Sequence, residues 1–137
     1  ELPENSRYYL DRIIELCEEK GIQLIVFQTP LALEKKRAEV TDYYKKVIGM
    51  GLTLEEYLGE RNIPFLFFQK MTEVKFDYTK DFKDWGHLNC RGSETVTRVL
   101  GDYLQEHYSY ETHTGDPAYA SWDEDYEAYE AYAVTKR

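Results

Sequence analysis

Two short apolar runs constrain this chain most. The first, Ile22-Gln23-Leu24-Ile25-Val26-Phe27, follows Gly21 directly; the second, Phe65-Leu66-Phe67-Phe68, follows Asn62 and Pro64. Nearly unbroken runs of this length, rich in β-branched and aromatic residues, read as strands covered on both faces, the pattern of a parallel sheet. Parallel neighbours need a crossover connection, and a right-handed one through helices satisfies that need. The expected class is therefore α/β, with helices packed on a parallel sheet.

The segments around the runs have helical signals. Leu10, Ile13, Ile14 and Cys17 recur at helical spacing, with Ser6 as the expected N-cap and Gly21 as the stop. A second helix is predicted from Leu33 to about Ile48, broken by Gly49-Met50-Gly51. Thr53-Leu54-Glu55-Glu56 has the form of a capping box and predicts a short third helix to about Arg61. A further helix runs from the N-cap Asn89 to about His107, its stripe formed by Val96, Val99, Leu100, Tyr103 and Leu104. Two strands make a poor sheet. Val74 to Tyr78 could add an edge strand; otherwise the missing strands lie upstream or in another chain.

Composition changes after residue 108. Thr112 to Pro117 reads as a linker, and Ser121-Trp122-Asp123-Glu124 repeats the capping signal. Six of the 13 tyrosines lie beyond residue 107. The expected organisation is an α/β part over residues 1–108 and an acidic, Tyr-rich tail over 109–137, with a helix over 122–134. That helix covers the sheet edge or packs on a neighbouring subunit.

Charge narrows the partners. The net charge of −9 argues against a nucleic-acid backbone, whose affinity comes largely from Lys and Arg, and against an anionic membrane surface. No apolar run approaches the roughly 20 residues of a membrane span. The start, Glu1-Leu2-Pro3-Glu4, is neither an initiator Met nor a signal-type segment, so an excised piece of a longer protein is expected. Cys17 and Cys90 are too few for a disulfide framework; Cys17 reads as a buried thiol, and a catalytic Cys90, beside the richest motif, is a minor alternative because its local sequence specifies no basic partner. No Gly-rich phosphate loop, zinc spacing or EF-hand appears, so no cofactor and no metal is expected.

Chemistry concentrates in Asp81-Phe82-Lys83-Asp84-Trp85-Gly86-His87-Leu88-Asn89-Cys90-Arg91-Gly92, between the second strand and a helix start. A histidine acting as general base needs a carboxylate at one ring nitrogen, to fix its tautomer and stabilise the imidazolium. Asp84, three residues before His87, can supply it from the same tight loop, and Asp81 is an alternative carboxylate. A metal site of His87, Asp84 and Asp81 is a further reading, one that suits a hard cation poorly.

The string Asp84-x-x-His87-Leu88-Asn89-x-x-Gly92 resembles the last conserved block of SGNH (GDSL-like) hydrolases. It is most similar to envelope acyltransferase-like members, relatives of the D-alanyl transfer protein of teichoic acid synthesis. The resemblance covers about residues 6–107. It implies a partial three-layer, flavodoxin-like parallel sheet, and a bacterial esterase or O-acyltransferase acting on an acyl ester, such as one on a cell-envelope glycan. It implies His87 as the general base, Asp84 orienting it, and an extracytoplasmic or membrane-anchored parent. The family's nucleophile has no counterpart, because Ser6, Ser93, Ser109 and Ser121 do not stand on a strand-to-helix elbow. The chain is thus expected to be inactive alone. The alternative is a non-catalytic domain of the same derivation, kept for interaction or assembly, and self-association through the sheet edge or the tail helix is expected.

Overall fold

The computed structural model describes residues 1–32 and 38–136. They form two compact units, Glu1–Val74 and Lys75–Arg137.

In the first unit, α1 (Glu4–Lys20) leads to β1 (Val26–Gln28), α2 (Ala38–Gly59) and β2 (Phe65–Phe67). The strands pair in parallel, Val26 with Phe65, Phe27 with Leu66 and Gln28 with Phe67, so the chain is α/β in class. Gly21 closes α1 in the left-handed region at φ 64°, its N–H returning to the Cys17 and Glu18 carbonyls. The expected cap is corrected: α1 begins at Glu4, so Ser6 lies inside the first turn and Pro3 precedes it without a side-chain cap. Ile14 is the buried residue of α1, whereas Ile13 is exposed.

The two helices expected across Gly49-Met50-Gly51 are one continuous helix. Its start at Leu33 lies outside the described residues. Gly51 does not break α2 because tertiary packing favours it: a Cβ there would overlap the Phe67 ring of β2. Propensity is a weak prior where packing decides. Leu58 is fully buried on the same helix, and Phe67 and Phe68 are buried beside it in the core. After Gly59 the chain reverses through Asn62 at φ 55°, a left-handed position asparagine tolerates. Tyr57 of α2 donates its hydroxyl to Asp11 of α1, and the Arg61 guanidinium lies 3.7 Å above the Tyr57 ring. Burial, followed by the Asp11 contact, raises the Tyr57 hydroxyl above its ordinary value of 10.0.

The first apolar run is less strand than expected. Only Val26–Gln28 is extended with a partner, and Ile22 and Phe27 are exposed. Strand side chains alternate between faces, so Phe27 points away from the face that Val26 shares. Residues 74–78 contribute no strand; they form bends, coil and the start of a turn.

The second unit holds the loop of residues 75–89, α3 (Cys90–His107), a 3₁₀ turn (Pro117–Tyr119) and α4 (Ala120–Val134). Phe82 is buried and packs against Phe76 and Tyr78, with ring centroids 5.9 and 5.7 Å away. Val96 supplies the buried position of α3. On α4, Trp122, Tyr126, Tyr129 and Tyr132 are exposed while Ala133 is fully buried. No helix among the described residues is long and apolar enough to cross a membrane.

Candidate functional site

The site is a small clasp at the start of α3. Phe82 and Leu88 form an antiparallel bridge, and the Lys83 N–H donates to the His87 carbonyl at 2.8 Å. One step outward, the Asn89 N–H donates to the Asp81 carbonyl at 3.1 Å. The five residues between the bridge partners carry both Asp84 and His87.

Asp84 folds back on its own loop, its Oδ1 accepting the Gly86 N–H at 2.9 Å. This is an Asx-type turn, which Asp and Asn favour because their side chains reach the backbone two residues on. The same carboxylate faces His87 Nδ1, at 2.8 Å from Oδ1 and 3.0 Å from Oδ2. The Gly86 N–H, with the His87 contact second, holds the Asp84 carboxyl below its ordinary 3.8, so it is ionised at neutral pH. A carboxylate accepting from Nδ1 leaves Nε2 as the nitrogen able to take a proton. The His87 side chain is 77% exposed, so that nitrogen is open to a solute. The spacing of three residues thus brings acid and imidazole together.

Asp81 lies beneath the clasp. It is 4% exposed, its Oδ2 accepts the Asp77 N–H at 2.7 Å, and Arg91 Nε stands 2.9 Å from Oδ1. It does not join Asp84 and His87 as a cation site: among the described residues, no group of three or more His, Cys, Asp and Glu side chains is placed to hold a metal ion. Asp77 is in turn held ionised by Thr79, whose hydroxyl and N–H donate to its Oδ1 at 2.7 and 2.9 Å.

Asn89 caps α3 and also ties the loop. Its Oδ1 accepts the Gly92 N–H at 3.1 Å, and its Nδ2 donates to the Lys80 carbonyl at 2.6 Å. The Asp81–Arg91 pair was not legible in the sequence, because nothing in the spacing marks a buried carboxylate ten residues before an arginine. Two cavities of about 340 and 380 Å³ open in the first unit. The larger lies at the carboxyl end of β1, lined by Phe27, Gln28, Thr29, Met50 and Leu54 among others. That is where α/β sheets hold ligands. Neither cavity is lined by Asp84 or His87.

A mannonate dehydratase of Geobacillus thermodenitrificans is 29% identical to this chain over 129 residues, covering 73% of this chain and 33% of the relative. The chain thus spans about a third of that protein's length. No protein-family model matches the chain, and no solved structure matches it.

These comparisons correct the SGNH expectation. The relative is a dehydratase rather than an esterase or acyltransferase, and nothing ties the chain to a cell envelope. The local structure explains how the resemblance arose. Asp84 and Gly86 close an Asx turn, Asn89 is a helix cap, and Gly92 sits where a Cβ would overlap the Asp81 carbonyl. Most of the string is what a tight loop entering a helix requires, in any family.

Proposed function

We propose that this chain contributes a general base to the dehydration of a sugar acid, with His87 as the base and Asp84 orienting it. The observation that carries the reading is the contact of both Asp84 oxygens with His87 Nδ1, which leaves an exposed Nε2. The similarity to a mannonate dehydratase supplies the reaction class.

Dehydration of a hydroxy acid removes a proton from the carbon beside the carboxylate and a hydroxide from the next carbon. His87 Nε2 takes the proton, and the electron pair of the broken C–H bond forms the new double bond. The departing hydroxide takes a proton from solvent, to which the site is open, and leaves as water. The resulting enol tautomerises to a 2-oxo acid. A positioned base of this kind contributes about 10²- to 10⁴-fold to rate.

The test is formation of a 2-oxo acid from mannonate by the purified protein and by His87→Ala. A drop in kcat of about 10²-fold or more supports the assignment. Absence of turnover by the unsubstituted protein, or turnover unchanged in His87→Ala, overturns it.

The same reading extends to architecture. Two strands of three residues are marginal alone, and a parallel sheet requires cover on both faces. We place β1 and β2 in a wider, flavodoxin-like three-layer sheet completed by a second copy across the sheet edge, with residues 109–137 as an appended tail. A stable monomer by light scattering overturns that arrangement.

A further inference from the structure

Arg91 is built into the same clasp as His87 and has no part in the proton transfer. Its Nε stands 2.9 Å from Oδ1 of Asp81, while 51% of the Arg91 side chain is exposed. Asp81 Oδ1 is buried and accepts no aligned hydrogen bond among the described residues, so the contact with Arg91 is one of charge rather than of hydrogen-bond geometry. A buried carboxylate without its donors is costly, and a buried ion pair adds little net stability. The pair does, however, hold a guanidinium by one edge. Such a group has five N–H donors in a rigid fork suited to planar oxyanions. Asp81 faces one of its nitrogens and half of the side chain is exposed, so the fork has donors left for a ligand.

The surroundings suit an anion. The chain carries a net charge of −9, yet residues 75–98 hold Lys75, Lys80, Lys83, Arg91 and Arg98 against Asp77, Asp81, Asp84 and Glu94. Arg91 also lies in the first turn of α3, where the helix dipole favours negative charge. It stands four positions after His87, so their Cα atoms lie within about 14 Å. A ligand a few carbons long is of a size that two side chains on Cα atoms so spaced can reach together.

We infer that Arg91, oriented by the buried Asp81, anchors the carboxylate of a hydroxy-acid ligand beside His87. The inference rests on the reading of His87 as a base acting next to a carboxylate, and it names the group that would hold that carboxylate. Neutralising the acid also assists the base, since removing a proton beside a carboxylate builds further negative charge there.

The test is binding followed by NMR of the Arg91 side-chain N–H and the amides of residues 87–92. The probes are mannonate, mannitol as its uncharged counterpart, the short hydroxy acid glycerate, and inorganic phosphate. Mannonate is expected to shift these signals and mannitol to leave them unmoved. Arg91→Lys keeps a cation for Asp81 and so keeps the fold, checked by circular dichroism, but loses the fork. Its affinity for mannonate is expected to fall about tenfold. Equal binding of mannitol, unchanged affinity in Arg91→Lys, or tighter binding of phosphate than of either acid overturns the anchor. Glycerate binding through Arg91 without mannonate binding keeps the anchor and sinks the sugar-acid reading. Turnover that depends on His87 but not on Arg91 does the reverse. Failure of both acids to bind overturns the anchor.

Discussion

Gly92 of α3 and Asp81 of the preceding loop meet backbone to backbone. A Cβ at position 92 would overlap the Asp81 carbonyl oxygen and stand 2.7 Å from Leu88 Cδ2. The Asp81 carbonyl is also the acceptor for the Asn89 N–H, so it cannot withdraw without releasing the clasp. Gly92→Ala is therefore expected to destabilise the protein despite alanine's better helix propensity. Overpacking of this kind costs about 1–3 kcal/mol. Urea denaturation of the two proteins measures it, and an alanine variant as stable as the parent refutes the close approach.

Asn89 is expected to matter twice. Removing an N-cap side chain costs about 1 kcal/mol, and Asn89→Ala also frees the Lys80 carbonyl from its 2.6 Å partner. Asn89→Asp keeps the cap but loses the Nδ2 donor. Thermal melts should rank the proteins as parent, then Asn89→Asp, then Asn89→Ala. Equal melting of the two variants would mean that the tie to Lys80 contributes nothing.

Much of this loop was readable from sequence, for local reasons. Asn89 as a cap, Gly21 as a stop and Asp84 with His87 on one turn all depend on neighbours a few residues away, which side-chain chemistry specifies directly. Apart from the Ser6 cap, a local signal displaced by the earlier start of α1 at Glu4, the misreadings were of the non-local kind. Gly49-Met50-Gly51 looks like a helix break until the Phe67 ring from β2 fills the space that a side chain at 51 would occupy. Ile22 and Phe27 look like buried strand positions until the sheet proves to have two strands among the described residues. The Asp81–Arg91 pair depends on how the loop folds over α3, which no periodicity encodes. The family resemblance failed for a related reason, since a string that closes a loop onto a helix recurs wherever that geometry is needed.

The Asp84 carboxylate has a defined pH signature. The Gly86 N–H and then His87 lower its pKa below the ordinary 3.8. A depressed carboxylate stabilises the fold above its unfolded value, and that contribution is lost as pH falls through the folded value. The loop contact should therefore persist at pH 4 and open only below it. A carboxyl-carbon NMR titration of Asp84 with its inflection under 3.8 supports this, and an inflection at or above 3.8 contradicts it. Gly86 itself must stay free to donate, so Gly86→Pro should move the inflection upward.

Two glycines two residues apart on α2 should respond in opposite directions. Gly49 has nothing within 4 Å of where a Cβ would stand, whereas at Gly51 a Cβ would overlap the Phe67 ring. Both lie inside one continuous helix. Gly49→Ala removes backbone freedom from the unfolded chain and meets no obstacle, so it should stabilise by about 0.5–1 kcal/mol. Gly51→Ala gains the same entropy but must push Phe67, a buried core residue of β2, out of its place, with overpacking costs of about 1–3 kcal/mol. Phe67 is only 3% exposed, so the ring has little free space to move into. Paired denaturation curves decide the matter. Opposite shifts establish that α2 passes unbroken against β2, while a stabilising effect at both positions would show that the helix does not pack there.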